Sequence, residues 1–178
     1  EYNFVVRLSA GVSEGSEPQQ FYLGGIDNWL NQKFNGGIRI DHPEDIYFSS
    51  FETPLRGTNY YEQSGNRFAL MNLEFRFPMI RYLILGWPLP LGFQNVRGAI
   101  FTDIGGAWQG KLGEYERFKP LRKSGSFLPE FEDLMMGYGF GPRANLGFLL
   151  LRFDIAWRSN LHRSSSKPSY YFSLGTEL

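Results

Sequence analysis

Period-two alternation of apolar and polar residues dominates the chain. From Phe148 to Arg158 the odd positions are Leu149, Leu151, Phe153, Ile155 and Trp157, and the later even positions are Arg152, Asp154 and Arg158. From Phe68 to Phe77 one face is Ala69, Met71, Leu73, Phe75 and Phe77, and the other ends in Asn72, Glu74 and Arg76. The opening strand sets Tyr2, Phe4, Val6 and Leu8 against Asn3, Arg7 and Ser9. Val96 to Trp108 places Ile100 and Ile104 against Arg97 and Asp103, and Met135 to Gly147 places Tyr138, Phe140 and Leu146 against Gly137, Gly139, Gly141 and Arg143. A short run, Gln20 to Gly25, and a closing run, Tyr170 to Leu178 with Phe172 and Leu174 opposite Ser173 and Glu177, bring the expected strands to seven. Alternation of this kind predicts strands with one apolar and one polar face.

Which face is the inside decides the fold class. In a soluble sandwich the charged face is solvated and the apolar face is core. In a membrane barrel the assignment inverts, with lipid outside and a polar lumen inside. Two features favour the inversion. The apolar faces are bulky from end to end, and most expected strands are near the ~9–11 residues that cross a bilayer. Arg7, Glu74, Arg76, Arg97, Asp103, Arg143, Arg152 and Asp154 would then line the lumen. The connections also alternate. Asn145-Leu146-Gly147 is a short turn, whereas 26–66, 109–133 and 159–169 are long and polar, the barrel pattern. Met79 to Phe93 is a long apolar connection expected at the membrane interface, anchored by Tyr82 and Trp87. The expectation is an all-β, antiparallel transmembrane barrel of about seven strands. Bacterial single-chain barrels have an even number, so seven points to further strands elsewhere, and the chain, which starts at Glu1 without Met or a signal-like segment, is read as a mature protein or a piece of a larger one. A soluble β-sandwich binding module is the alternative.

Composition narrows the chemistry. The 178 residues carry 18 basic and 18 acidic side chains, which argues against a polyanionic partner such as nucleic acid. There is no cysteine, so disulfides and thiolate metal sites are excluded. Aromatics make up 17%, as interfacial girdles or an aromatic core would require. Asp41-His42-Pro43-Glu44-Asp45 and the group Glu130, Glu132 and Asp133 read as solvated acidic loops. The spacing around His42 and His162 fixes no coordination geometry, and no nucleophile elbow or zinc-protease motif occurs. No catalytic residue, metal or cofactor is expected, and the chain reads as a non-enzyme.

A second signal lies in one loop and one strand. Pro54-Leu55-Arg56-Gly57-Thr58-Asn59-Tyr60 precedes a strand, and Phe101-Thr102-Asp103-Ile104-Gly105 lies in a later one. A guanidinium in a confined interior needs a fixed acceptor, and arginine offers a carboxylate planar, bidentate geometry. Gly57 permits a tight turn or close approach to the wall. The alternatives are a solvated Arg56, with Asp103 paired to Arg97 or Arg143. The inward glycines 137, 139 and 141 either make room for an inserted loop or mark a corner.

The run TPLRGTNYYEQSGNRFALMNLEFRFP resembles the BamA-type outer-membrane surface-antigen superfamily. The resemblance rests on Leu55-Arg56-Gly57, with Thr58 where an aromatic is usual and Tyr60 able to supply the ring. It rests also on the aromatic-x-Asp-x-Gly run at 101–105, on Gly139-Phe140-Gly141-Pro142-Arg143, on Leu151-Arg152-Phe153-Asp154, and on the ending Tyr171 to Leu178. It covers nearly the whole chain and implies the C-terminal half of a barrel of about sixteen strands. It further implies that residues 26–66 form a surface loop folded into the lumen, with Arg56 and Gly57 docked on Asp103 and Gly105. The last strand, with Phe172, Leu174 and Gly175, would be an open seam edge where client strands pair. The implied partners are outer-membrane lipid and client polypeptides or partner subunits, and the implied activity is protein insertion or translocation at the bacterial outer membrane. A passive barrel anchoring another domain or complex has the same fold. The PLRG…GN…NLEFRFP version, preceded by FYLGGIDNWL, is similar to proteins joining a TolB-like β-propeller to such a barrel. An upstream array of client-binding modules would favour assembly, and a propeller would favour anchoring.

Overall fold

The computed structural model describes residues 2–26, 30–33, 49–86, 91–110, 118–123, 130–145 and 149–175. They hold twelve strands and no helix. In chain order these are β1 (Asn3–Val12), β2 (Gln20–Leu23), β3 (Leu30–Lys33), β4 (Ser49–Glu52), β5 (Gln63–Gly65), β6 (Arg67–Leu85), β7 (Leu91–Trp108), β8 (Leu121–Arg122), β9 (Glu130–Phe131), β10 (Met135–Asn145), β11 (Leu150–Ser159) and β12 (Ser169–Gly175).

The main sheet has the order β1-β6-β7-β10-β11-β12-β3, with every neighbouring pair antiparallel. Its first six strands form an up-and-down meander, and β1 and β3 are its edges, so the chain forms a partial, unclosed barrel. Long connections (β1 to β6, β7 to β10, β11 to β12) alternate with short ones (β6 to β7, β10 to β11).

Three sequence expectations need correction. Gln20 to Gly25 is extended but does not join the barrel wall. Its four-residue strand β2 pairs in parallel with β4 and antiparallel with β5, forming a small sheet within the long β1–β6 connection. Met79 to Phe93 is not an apolar connection. β6 runs on to Leu85 and β7 starts at Leu91, so the two form one long hairpin with a register shift between Pro78 and Ile80. The shift lets proline, which has no N–H to donate, sit in the ladder. Third, the outer edge of β12 is not open, because Tyr171–Leu174 pair with Lys33–Leu30 of β3. Trp87, the Asp41–Asp45 run, Leu146, Gly147 and residues 176–178 lie outside the described residues.

The two faces of the main sheet settle the question of inside and outside. Phe4 (67% exposed), Leu8 (73%), Ile100 (54%) and Phe140 (50%) stand out on one face, with Val6, Phe75 and Tyr170. Glu74, Asp103, Arg143 and Asp154, on the other, are buried. A sandwich would bury the first set and solvate the second, so the soluble alternative is not the fold. The buried apolar residues lie on the charged side. Phe21, Leu23 and Leu55 of the long connection pack on Phe68, Leu70, Ala107 and Met135 of the wall. Ile26 and Tyr60 form a second cluster with Phe101, Ala156 and Tyr171. Each such fully buried side chain contributes roughly 1.5–3 kcal/mol, so the connection is fastened to the wall.

The exposed apolar face makes Ile100→Arg a sharp probe. An arginine facing lipid near the bilayer midplane costs about 2–4 kcal/mol. The variant is expected to insert poorly, read as a smaller heat-modifiable fraction on gels of membrane extracts. Unchanged insertion would contradict a lipid-facing Ile100.

Candidate functional site

The site is built where the long connection crosses the wall. Thr58 closes a tight turn, its hydroxyl donating to the Leu55 carbonyl at 2.6 Å and accepting from the Gly25 N–H at 3.2 Å. Gly25 and Leu55 exchange backbone hydrogen bonds at 3.1 and 2.8 Å. Gly57 adopts φ 89°, a left-handed conformation suited to glycine. This turn presents Arg56 to the wall.

Arg56 is 4% exposed and Asp103 fully buried. Arg56 Nε donates to Asp103 Oδ2 at 2.7 Å and Nη2 to Oδ1 at 2.9 Å, a bidentate pair, and the Arg56 backbone N–H adds a bond to Oδ2 at 3.0 Å. Nη1 donates to Glu74 Oε2 at 3.0 Å and lies 3.6 Å from Asp154 Oδ2. The guanidinium carbon sits 3.4 Å from the Phe101 ring centroid, a cation–π contact. One side chain of the connection thus engages β6, β7 and β11.

The surrounding charges interlock. Glu74 accepts from Arg76 at 2.7 Å and from Arg143 at 3.2 Å, and Arg143 donates again to Asp154. The pairings of Asp103 with Arg97 or Arg143 do not occur among these contacts. Gly137, Gly139 and Gly141 face the same interior. A Cβ on Gly137 would strike the Arg56 carbonyl oxygen, one on Gly139 would meet the Phe101 ring at 2.8 Å, and one on Gly141 would meet Asp154 Oδ1 at 2.6 Å. Gly105 makes room likewise, since its Cβ would lie 3.1 Å from Leu23 of β2. Phe172, Leu174 and Gly175 lie on β12, which carries β3 on its outer edge.

Sequence reasoning did not single out Asn72 or Tyr171. Asn72 Nδ2 donates to the Pro54 carbonyl at 2.7 Å and to Asp103 Oδ1 at 2.8 Å. Tyr171 Oη accepts from the Gly57 N–H at 3.0 Å and donates to the Thr58 carbonyl at 2.7 Å. Each is an inward residue whose parity was legible but whose partner, far away in sequence, was not. Tyr60, two residues beyond Thr58, is buried with Phe101 and Tyr171. Tyr171→Phe would leave two buried backbone groups without this partner and is expected to cost about 1–3 kcal/mol, measured as a lower unfolding midpoint in detergent. An unshifted midpoint would mean that the hydroxyl does not fasten the turn.

At the long-loop end, Glu130 joins two loops. It accepts from Arg122 at 2.8 Å and from Asn160 Nδ2 at 2.6 Å. The hydrogen bond from Arg122 holds its carboxyl below the usual range. Among the described residues no group of acidic or histidine side chains is placed to hold a metal ion.

A long inter-strand connection thus presents a buried arginine to an aspartate of the sheet. Residues 2–178 match the Omp85 superfamily domain. The chain belongs to the Omp85 superfamily. Members of this superfamily are outer-membrane β-barrels that insert or translocate proteins without enzymatic chemistry. No curated protein and no solved structure matches the chain significantly. In this Omp85 domain one face of the main sheet is apolar and exposed, and the other carries the buried Asp103 that Arg56 engages.

Proposed function

We propose that this Omp85 domain is the C-terminal part of a bacterial outer-membrane barrel that inserts or translocates polypeptides, with residues 26–66 as the lumen-docked loop. The observation that carries the reading is the single guanidinium of Arg56 held at once by β6, β7 and β11. It makes the loop a brace that keeps wall strands in register while the seam beyond β12 works. Chemistry at the seam is backbone pairing, since an edge strand offers a row of N–H and C=O groups to an incoming strand. β3 covers that edge for four residues, whereas β11 and β12 pair over seven. The shorter pairing is the one a client strand would displace.

The same covered edge favours a second reading, a passive barrel whose seam is sealed and which anchors another domain or complex. One experiment separates the two. Full-length protein in liposomes is offered an unfolded outer-membrane barrel, and insertion is followed by protease protection. The first reading expects catalysed insertion that slows when Asn31→Cys and Ser173→Cys, opposite one another in register, are joined by a disulfide. The anchor reading expects no catalysis with or without the crosslink.

A further inference from the structure

On the exposed face of the main sheet, the rows nearest the β11–β12 connection are aromatic. Tyr138 on β10 is directly opposite Trp157 on β11, and Phe140 lies one row further from the connection, opposite Ile155. Trp157 stacks on both rings, centred 6.0 Å from Tyr138 and 6.1 Å from Phe140. Amphipathic rings such as Trp and Tyr settle at the headgroup level of a bilayer. Two residues beyond Trp157, β11 ends at Ser159 and the connection begins.

That connection, residues 160–168, contains His162, Arg163 and Lys167 and no aspartate or glutamate. It is fastened to the aromatic row, because Tyr138 Oη donates to Ser164 Oγ at 3.0 Å. Ser164 also bridges back to Ser159, and the Ser165 N–H donates to the Arg158 carbonyl at 2.8 Å. The Asn160 side-chain oxygen accepts from the backbone N–H groups of His162 and Arg163 at 3.2 and 2.7 Å. These bonds fold the connection back over the end of β11, with residues 161–167 all exposed. Neither Arg163 nor Lys167 forms an ion pair with a described residue. The carboxylates around them are engaged elsewhere. Glu62 pairs with Arg158, and Glu130, which feels the charge of Arg163, accepts from Arg122 and Asn160.

We propose that the β11–β12 connection is a docking surface for the phosphate headgroups of anionic lipid, with Arg163 and Lys167 meeting the phosphates and the Tyr138–Trp157–Phe140 stack meeting the chains beneath. The inference rests on the exposed apolar face lying in lipid and goes beyond it by naming the lipid. Depth and charge carry it. The connection starts roughly 7 Å beyond the Trp157 row, at two residues of strand rise, which puts it in the headgroup layer when that row sits at the layer's edge. A guanidinium and an ammonium are the natural partners of phosphate there. Each such cation near an anionic membrane surface strengthens association roughly fivefold, and the connection holds no carboxylate to oppose it.

The test uses full-length protein in phosphatidylcholine bilayers mixed with rising fractions of acyl-brominated phosphatidylglycerol or, separately, acyl-brominated phosphatidylcholine. Bromine quenches a tryptophan it touches, and the share of Trp157 is the difference between the protein and its Trp157→Phe variant. Phosphatidylglycerol is expected to be preferred at Trp157 by at least about fivefold. Arg163→Gln combined with Lys167→Gln, both at exposed positions, is expected to abolish that preference while quenching by phosphatidylcholine persists. Equal quenching by the two lipids, or a preference unchanged in the double variant, overturns the proposal. So does a preference abolished by inorganic phosphate but not by chloride at equal ionic strength, which identifies a site for free oxyanions. Absence of quenching at Trp157 by either lipid overturns the membrane reading itself, so the two failures are distinguishable.

Discussion

Arg56→Ala is expected to cost about 3–5 kcal/mol, the loss typical when one partner of a buried ion pair is removed. The variant strips Asp103 of its bidentate partner while leaving it fully buried, with the Asn72 amide and the residue 56 backbone N–H as its remaining donors. Glu74 and Asp154 also lose one of the two cations they share, keeping Arg143, and Phe101 loses its cation–π contact. Asp103→Ala should cost less, because the guanidinium keeps Glu74 and Asp154. The double variant should fall short of the sum, as it does for groups sharing one network. Arg56→Lys should lie between, since an ammonium cannot form the planar pair of hydrogen bonds. The measurement is the unfolding midpoint of the full-length barrel in detergent, read by heat-modifiability. Wild-type midpoints in the single and double variants would show that the pair is not structural.

Gly137→Ala is the second large effect. The backbone of β10 touches the backbone of the docked turn here. A methyl on residue 137 would overlap the Arg56 carbonyl oxygen, with the Arg56 carbonyl carbon 2.7 Å away and Gly57 Cα 3.4 Å away. Gly57 cannot yield easily, because a Cβ there would meet the Trp157 carbonyl oxygen at 2.9 Å and its φ is positive. The contact is backbone against backbone on both sides, so no side-chain rotation relieves it. Overpacking of this kind costs about 1–3 kcal/mol. The turn, rather than the wall, should give way, because β10 is paired on both sides. Limited proteolysis should then cut the β1–β6 connection faster while β10 and β11 stay protected. Unchanged cleavage would contradict direct contact.

The wall was legible because alternation reports sidedness directly. The parity that places Leu151, Phe153 and Ile155 on one face and Arg152 and Asp154 on the other is the parity observed. What alternation does not carry is pairing. Gln20–Leu23 has strand composition, but at four residues it is too short to cross a bilayer and was better read as part of the loop. Met79–Phe93 carries two prolines at Pro88 and Pro90 and has the composition of a connection, yet Ile80 to Leu85 continue the ladder after the register shift that follows Pro78. β3 had no alternation to announce it. Its place beside β12 depends on an edge that becomes available only in three dimensions.

For the site, sequence carried the ends of the contact, an arginine beside glycine in a loop and an aspartate in a strand. It did not carry the sharing of Arg56 by Glu74 and Asp154, because those contacts cross strands with no fixed spacing. Nor did it carry Asn72 and Tyr171, whose hydrogen bonds go to loop backbone that has no sequence signature.

Everything proposed above requires the apolar face to lie in lipid and the charged face to enclose the loop. The most direct measurement places a single spin label at Ile100→Cys or Phe140→Cys on one face, and at Ser173→Cys on the other, in full-length protein reconstituted in a bilayer. Accessibility is then read to oxygen, which concentrates in lipid, and to a water-soluble nickel complex. High oxygen and low nickel accessibility is expected at 100 and 140, and low oxygen accessibility at 173. Labels at 100 and 140 that relax with nickel and not with oxygen would mean that this face meets water, and the membrane reading would fall.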